Sequence, residues 1–190
     1  MPYVDTLPKV VEMAEGYLLS DLTFRESWEV QRRGLFGLAE MTGKAIDILS
    51  QDPDGFFLMV EGGQIDKAAH SNDAANVITD TLGFDQAVAV AQSYALTATD
   101  TLIIVTADHE TGGMSVNLTA GEEGPFNMPG GTPFYVNWTN TLHSDADVPV
   151  TAQGPWSDLL EGSYENTYLN TVMRLALNPN LVALPIIFRE

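Results

Sequence analysis

The chain has 190 residues, no cysteine, and 26 acidic against 8 basic side chains, for a formal charge of -18. That length suits one domain with a sizeable core; the absence of thiols excludes disulfides, thiolate ligands and cysteine nucleophiles, and the charge argues against general binding to a nucleic-acid backbone. Hydrophobic residues make up 45%, enough for a folded protein, so the acidic excess reads as solvated surface, compatible with salt adaptation or with bound cations that reverse the local field.

Residues 1–37 mix short helical patterns with Gly and Pro interruptions. Residues 1–20 do not show the basic segment and continuous apolar core of a secretory signal, and no run in the sequence is expected to be long enough to span a membrane. Leu38–Leu49 follows with apolar residues Leu38, Met41, Ala45, Ile48 and Leu49 at helical spacing, which predicts a helix despite Gly43. Asp52-Pro53-Asp54-Gly55 reads as a turn, and Phe56–Val60 as a buried strand. Gly62-Gly63 break that strand; helices are expected over Ile65–Asn76 and Phe84–Ala98, the second with a broad face of Ala87, Val88, Val90, Ala91, Ala95 and Leu96. Thr101–Thr106 is a second buried strand, rich in branched residues. Gly112–Thr141 reads as irregular structure or small strands, Val148–Ala152 as a strand, and Asn166–Leu177 as a capped helix presenting Tyr168, Val172, Leu175 and Ala176. Leu181–Phe188 is expected to be a buried strand. The strand–helix–helix–strand order predicts an α/β architecture with a largely parallel central sheet and flanking helices, whose ligands sit beyond the strand ends.

Metal ligands, if any, must be His, Asp or Glu. Asp66 and His70 lie one turn apart on a helix and could share an ion, or form an ordinary i,i+4 contact. Asp108-His109 directly follows a strand: in a turn both could converge on a cavity, or Asp108 could cap a helix with His109 on the surface. His143 precedes Ser144-Asp145-Ala146-Asp147 and could enter the same region or simply pair with acidic neighbours. All 3 histidines lie near predicted strand ends. Glu61, after a strand, could join an oxygen-rich magnesium site or face solvent.

The runs Met59–His70 (MVEGGQIDKAAH), Val105–Gly113 (VTADHETGG) and His143–Val150 (HSDADVPV) resemble alkaline phosphatase in order and separation. The resemblance extends from about Leu38 to the helix ending near Leu177; residues 1–37 add little to it, and Ser144-Asp145 departs from the Thr-Gly usual after the third histidine. It implies a partial alkaline-phosphatase-like sandwich, with 38–190 as the C-terminal portion of the catalytic domain. By the same resemblance Asp66, His70 and His143 would hold a first zinc, Asp108 and His109 a second, and Glu61 would help hold magnesium. Lys67 would tune the phosphate site, or be an exposed helix lysine.

In the family, metal ions activate a serine nucleophile and offset charge on the phosphoryl group and its leaving oxygen, while an arginine clamps the phosphate. The serine, the arginine and a metal-bridging aspartate belong to the N-terminal half, and no residue here matches them; Ser20, Ser27, Arg25 and Arg32 lack the required surroundings. The expectation is therefore a metal-binding portion of a phosphomonoester hydrolase, weakly active or inactive alone. The chain would be a fragment or need another chain: the missing N-terminal half or another copy would complete it, as a homo-oligomer in the periplasm or outside the cell. The competing expectation is a noncatalytic acidic module that binds metal or self-assembles.

Overall fold

The computed structural model describes the backbone of residues 9–14 and the whole of residues 37–177. The expectations for the rest of 1–37 and for Leu181–Phe188 fall outside those residues. Within 1–37, Lys9–Ala14 forms a strand, β1, which pairs in parallel with β2 (Phe56–Glu61) in the register Lys9 to Phe56 through Ala14 to Glu61.

Helix α1 (Leu38–Leu49) opens with the Glu40 carboxylate accepting the Gly37 N–H, one arm of a capping box. Its buried residues are Thr42, Ala45, Ile46 and Leu49. The buried stripe is thus rotated from the one expected, and Ile48 is 47% exposed. The Thr42 hydroxyl is satisfied by the Leu38 carbonyl at 2.8 Å, which lets a polar side chain enter the core.

The expected helix over Ile65–Asn76 is cut at His70. Helix α2 (Gln64–His70) stops there, Asn72 takes a left-handed conformation at φ 51°, and Asp73 starts a new helix by accepting the Asn76 N–H at 3.1 Å. Asn tolerates that conformation and Asp is a strong N-cap, so the sequence carries its own interruption. Helix α3 (Ala74–Ala95) then runs 22 residues, joining the end of the first expected helix to most of the second through residues 77–83, which were not expected to be helical. It packs on α1 and α2.

The remaining strands are short: β3 (Ile103–Val105), β4 (Glu110–Thr111), β5 (Ser115–Asn117), β6 (Glu123–Asn127), β7 (Pro133–Asn137), β8 (His143–Ser144) and β9 (Thr151–Gln153). A 3-10 turn, Ser157–Leu160, and helix α4 (Thr167–Leu177) follow.

The pairing corrects the expected largely parallel central sheet. Among the described residues only β1 and β2 are parallel; β3 with β9, β4 with β8, and β7 with both β5 and β6 are antiparallel. The strands fall into separate small sheets rather than one central one. The helical connection from β2 to β3 suggested a crossover between parallel neighbours, but β3 finds its partner far downstream, with Ile103 opposite Gln153. With one partner strand each among the described residues, β2 and β3 are half-buried or exposed along their length, not fully buried as expected. The core sits between the helices and under β7, and is built largely of small residues: Ala45, Ala69, Ala74 and Ala87, with Ile46, Leu49 and Val77. Val136 of β7 and Val172 of α4 are fully enclosed.

Candidate metal centre

Three segments meet at the centre. α2 places Asp66 and His70 one turn apart on one face, and the short β4–β8 ladder sets His143 opposite Thr111. A ligand atom from each of Asp66, His70 and His143 lies within 4.8 Å of the others, and they are the one such trio of His, Asp or Glu among the described residues. Asp66 Oδ1 stands 3.4 Å from His70 Nε2 and 3.3 Å from His143 Nε2, and the two Nε2 atoms are 2.9 Å apart.

Those distances can be tested against an ion. A tetrahedral centre with bonds of about 2.0–2.1 Å has ligand-to-ligand edges of about 3.3–3.4 Å. Two edges of the trio match and the third is shorter, so the residues fit a small divalent cation with one coordination position left open. Proton placement is consistent with the same conclusion. His70 Nδ1–H donates to the Thr141 carbonyl at 2.7 Å, leaving Nε2 only as an acceptor. Its close contact with His143 Nε2 therefore needs either the proton of His143 or a cation between them.

Thr111 organises both sides of this cluster. Its hydroxyl donates to Asp66 Oδ1 at 2.6 Å and faces His109 Nδ1 at 3.2 Å. Since the hydroxyl hydrogen goes to Asp66, His109 Nδ1–H is the donor in the second contact, and His109 Nε2 is an acceptor. That nitrogen faces Asp108 Oδ2 at 3.2 Å, so a second oxygen and nitrogen donor pair stands side by side. The imidazoles of His109 and His143 stack with centroids 3.5 Å apart and planes at 22°. Burial would raise the Asp66 carboxyl, but the Thr111 hydroxyl and the positive potential of His70, His143 and His109 hold it below its usual range.

Asp108 and His109 thus adjoin the trio, Asp108 with its side chain 87% exposed. Glu61 ends β2 and Lys67 lies on α2 beside Asp66; both are exposed, and neither belongs to the trio. Sequence reasoning passed over Thr111 and Glu110. Glu110 accepts the Gly113 N–H at 2.6 Å and the Ser144 hydroxyl, and thereby fastens the ladder that delivers His143. The Ser144 hydroxyl, with the Gly113 and Met114 amides, keeps Glu110 ionised to lower pH than an ordinary glutamate, against the effect of burial. Both residues lie within the VTADHETGG run, but a Thr or Glu near a His has no spacing signature of its own.

The fold and this cluster define a metal-binding α/β module. The alkaline phosphatase family model matches residues 18–130, and the chain belongs to that family. The match starts before Leu38, in a stretch where sequence reading found little resemblance. The chain is 34% identical over 149 residues to alkaline phosphatase H of Pseudomonas aeruginosa, covering 74% of this chain and 31% of that protein. It is 36% identical over 158 residues to streptomycin-6-phosphate phosphatase of Streptomyces griseus, covering 74% and 35%. It also superposes on the alkaline phosphatase of the Antarctic bacterium TAB5 with a TM-score of 0.63 at 34% identity, covering 75% of this chain and 40% of that one. A variant of the TAB5 enzyme solved with magnesium bound gives 0.64 at 33% identity, covering 75% and 41%. The chain therefore spans about a third of the length of these curated relatives. Trio and family together support a metal cofactor in a module related to phosphomonoesterases. Among the described residues no helix is long and apolar enough to cross a membrane.

Proposed function

We propose that this chain is the C-terminal metal-binding portion of a phosphomonoester hydrolase, with residues 38–190 forming that portion. Asp66, His70 and His143 hold a first zinc, Asp108 and His109 contribute to a second, and Glu61 helps hold magnesium. The observation that carries the reading is the trio itself, two of whose three edges suit a tetrahedral ion and whose His70 is oriented by a backbone carbonyl.

Ions bound there supply Lewis-acid polarisation of phosphoryl oxygens. The chain's own residues do the rest of the positioning. Asp66 brings a negative charge that offsets the cation, and Thr111 restricts its carboxylate to one orientation. His70 presents an Nε2 that already lacks a proton, and His143 would offer its own Nε2 beside it. Lys67, next to Asp66, offers a positive charge that would favour an approaching phosphate dianion. The serine nucleophile, the phosphate-clamping arginine and the aspartate bridging second zinc and magnesium come, on this reading, from the enzyme's N-terminal half or from a second copy of the chain in a homo-oligomer. The assembled protein works in the periplasm or outside the cell.

A zinc-dependent p-nitrophenyl phosphate assay tests this. The 190-residue chain alone is expected to turn over little or nothing, and addition of an N-terminal half to raise turnover in a manner abolished by Asp66→Ala. Robust turnover by the pure chain, lost in Asp66→Ala, would overturn its incompleteness. Metal binding with no activity after verified assembly of both halves would favour the noncatalytic module.

A further inference from the structure

One carboxylate outside the ligand set joins the two segments that carry the imidazoles of the trio. Glu123, the first residue of β6, accepts the Ala74 backbone N–H at 3.1 Å through Oε1 and 3.3 Å through Oε2, and the Trp138 indole N–H at 2.7 Å through Oε1. Ala74 is fully buried and opens α3, so its N–H has no partner within the helix and no access to water. A carboxylate there also complements the helix dipole.

The two clipped segments matter because of what they carry. Ala74 follows the α2–α3 turn that begins at His70, and Trp138 begins the stretch that leads to Thr141 and His143. The same segments meet twice more, through His70 and the Thr141 carbonyl, and through Asn72. With its amide turned to donate, the Asn72 side chain reaches the Asn140 carbonyl at 2.8 Å. The Trp138 ring is packed against Gly112: a Cβ there would fall 2.7 Å from Trp138 Cε3 and 3.2 Å from the Ala69 carbonyl oxygen. At φ +86° and with that contact only glycine fits, so the indole stays within reach of Glu123.

We infer that Glu123 is a positioning residue for the metal trio, holding the Ala74 amide and the Trp138 indole in one carboxylate and so fixing how closely His70 approaches His143. The inference rests on the metal-centre reading. Removing the carboxylate leaves a buried amide and an indole N–H without their acceptor, and water reaches them only if the two segments part. Ligand edges of 2.9–3.4 Å leave little room for that movement.

The test uses the full chain, with zinc titrated against a chromophoric chelator and with cobalt(II) substitution to read coordination geometry from its visible bands. Glu123→Ala is expected to weaken zinc binding about 10–100-fold, the range seen when a metal ligand loses an outer partner, and to change the cobalt spectrum. Glu123→Gln, which keeps an acceptor, should recover most of that loss. If Glu123→Ala does not fold, Trp138→Phe decides, since it keeps the ring and removes one donor; weaker zinc binding supports the inference and unchanged affinity overturns it. A folded Glu123→Ala with a lowered urea midpoint but wild-type zinc affinity and cobalt spectrum would reduce Glu123 to a structural role and overturn the inference alone. Failure of the wild-type chain to bind zinc would instead overturn the metal-centre reading, and this inference with it.

Discussion

Thr111 shows how a neutral side chain can set the chemistry of charged neighbours. Its hydroxyl gives its hydrogen to Asp66 and takes one from His109, which leaves Asp66 ionised and His109 Nε2 open toward Asp108. Thr111→Val keeps the shape and removes both bonds, so zinc affinity at the trio should fall about 10–100-fold by chelator competition, with Thr111→Ser close to wild type. Unchanged affinity in the valine variant would remove Thr111 from the site. Asp80 supplies an independent pH test. Burial first, and the charge of Asp73 second, raise its carboxyl above its unfolded value of 3.8. A raised acid makes the native state bind more protons than the unfolded chain, so Asp80 lowers stability as pH rises from about that value through its native pKa. Asp80→Asn should therefore be more stable than wild type at pH 7, and the difference should shrink as urea unfolding is followed down through that window. At this scale the pair Asp66 and His70 was legible, because the two share a helical repeat, and His143 joined them chiefly through the resemblance. Thr111 and Glu123 were not, since each acts on residues that only tertiary contacts bring near.

Among the elements, the helices were read better than the strands, for a physical reason. Helical periodicity is local, so α1 and α4 appear within a residue of their expected limits, and Val172 is enclosed as expected. A strand's partner is not local: nothing within Thr101–Thr106 announces Thr151–Gln153, and the expected parallel sheet came from the helical connection alone. The cut between α2 and α3 was written in Asn72-Asp73, as a left-handed residue followed by an N-cap, while residues 77–83, which were not expected to be helical, belong to α3. Gly83 lies inside α3 and an added Cβ would meet nothing within 4 Å. Gly83→Ala should stabilise the protein by about 0.5–1 kcal/mol in urea unfolding, by restricting the unfolded chain and favouring the helix. A loss of stability would mean that α3 is not continuous there.

For the whole molecule, a charge of -18 acts against compactness. Salt screens that repulsion over about 8–10 Å at 0.10–0.15 M, so the unfolding midpoint should rise with sodium chloride; equal stability at low and high ionic strength would contradict the salt-adapted reading. The same acidity makes a cation at the trio more favourable, which ties surface charge to the site. The central claim is that Asp66, His70 and His143 together hold one divalent ion, and equilibrium dialysis against zinc at neutral pH, read by elemental analysis, tests it most directly. Stoichiometric zinc should be retained by the wild-type chain, with one equivalent lost in both Asp66→Ala and His143→Ala while circular dichroism remains native. Uptake that is absent, or unchanged by either substitution, would contradict it.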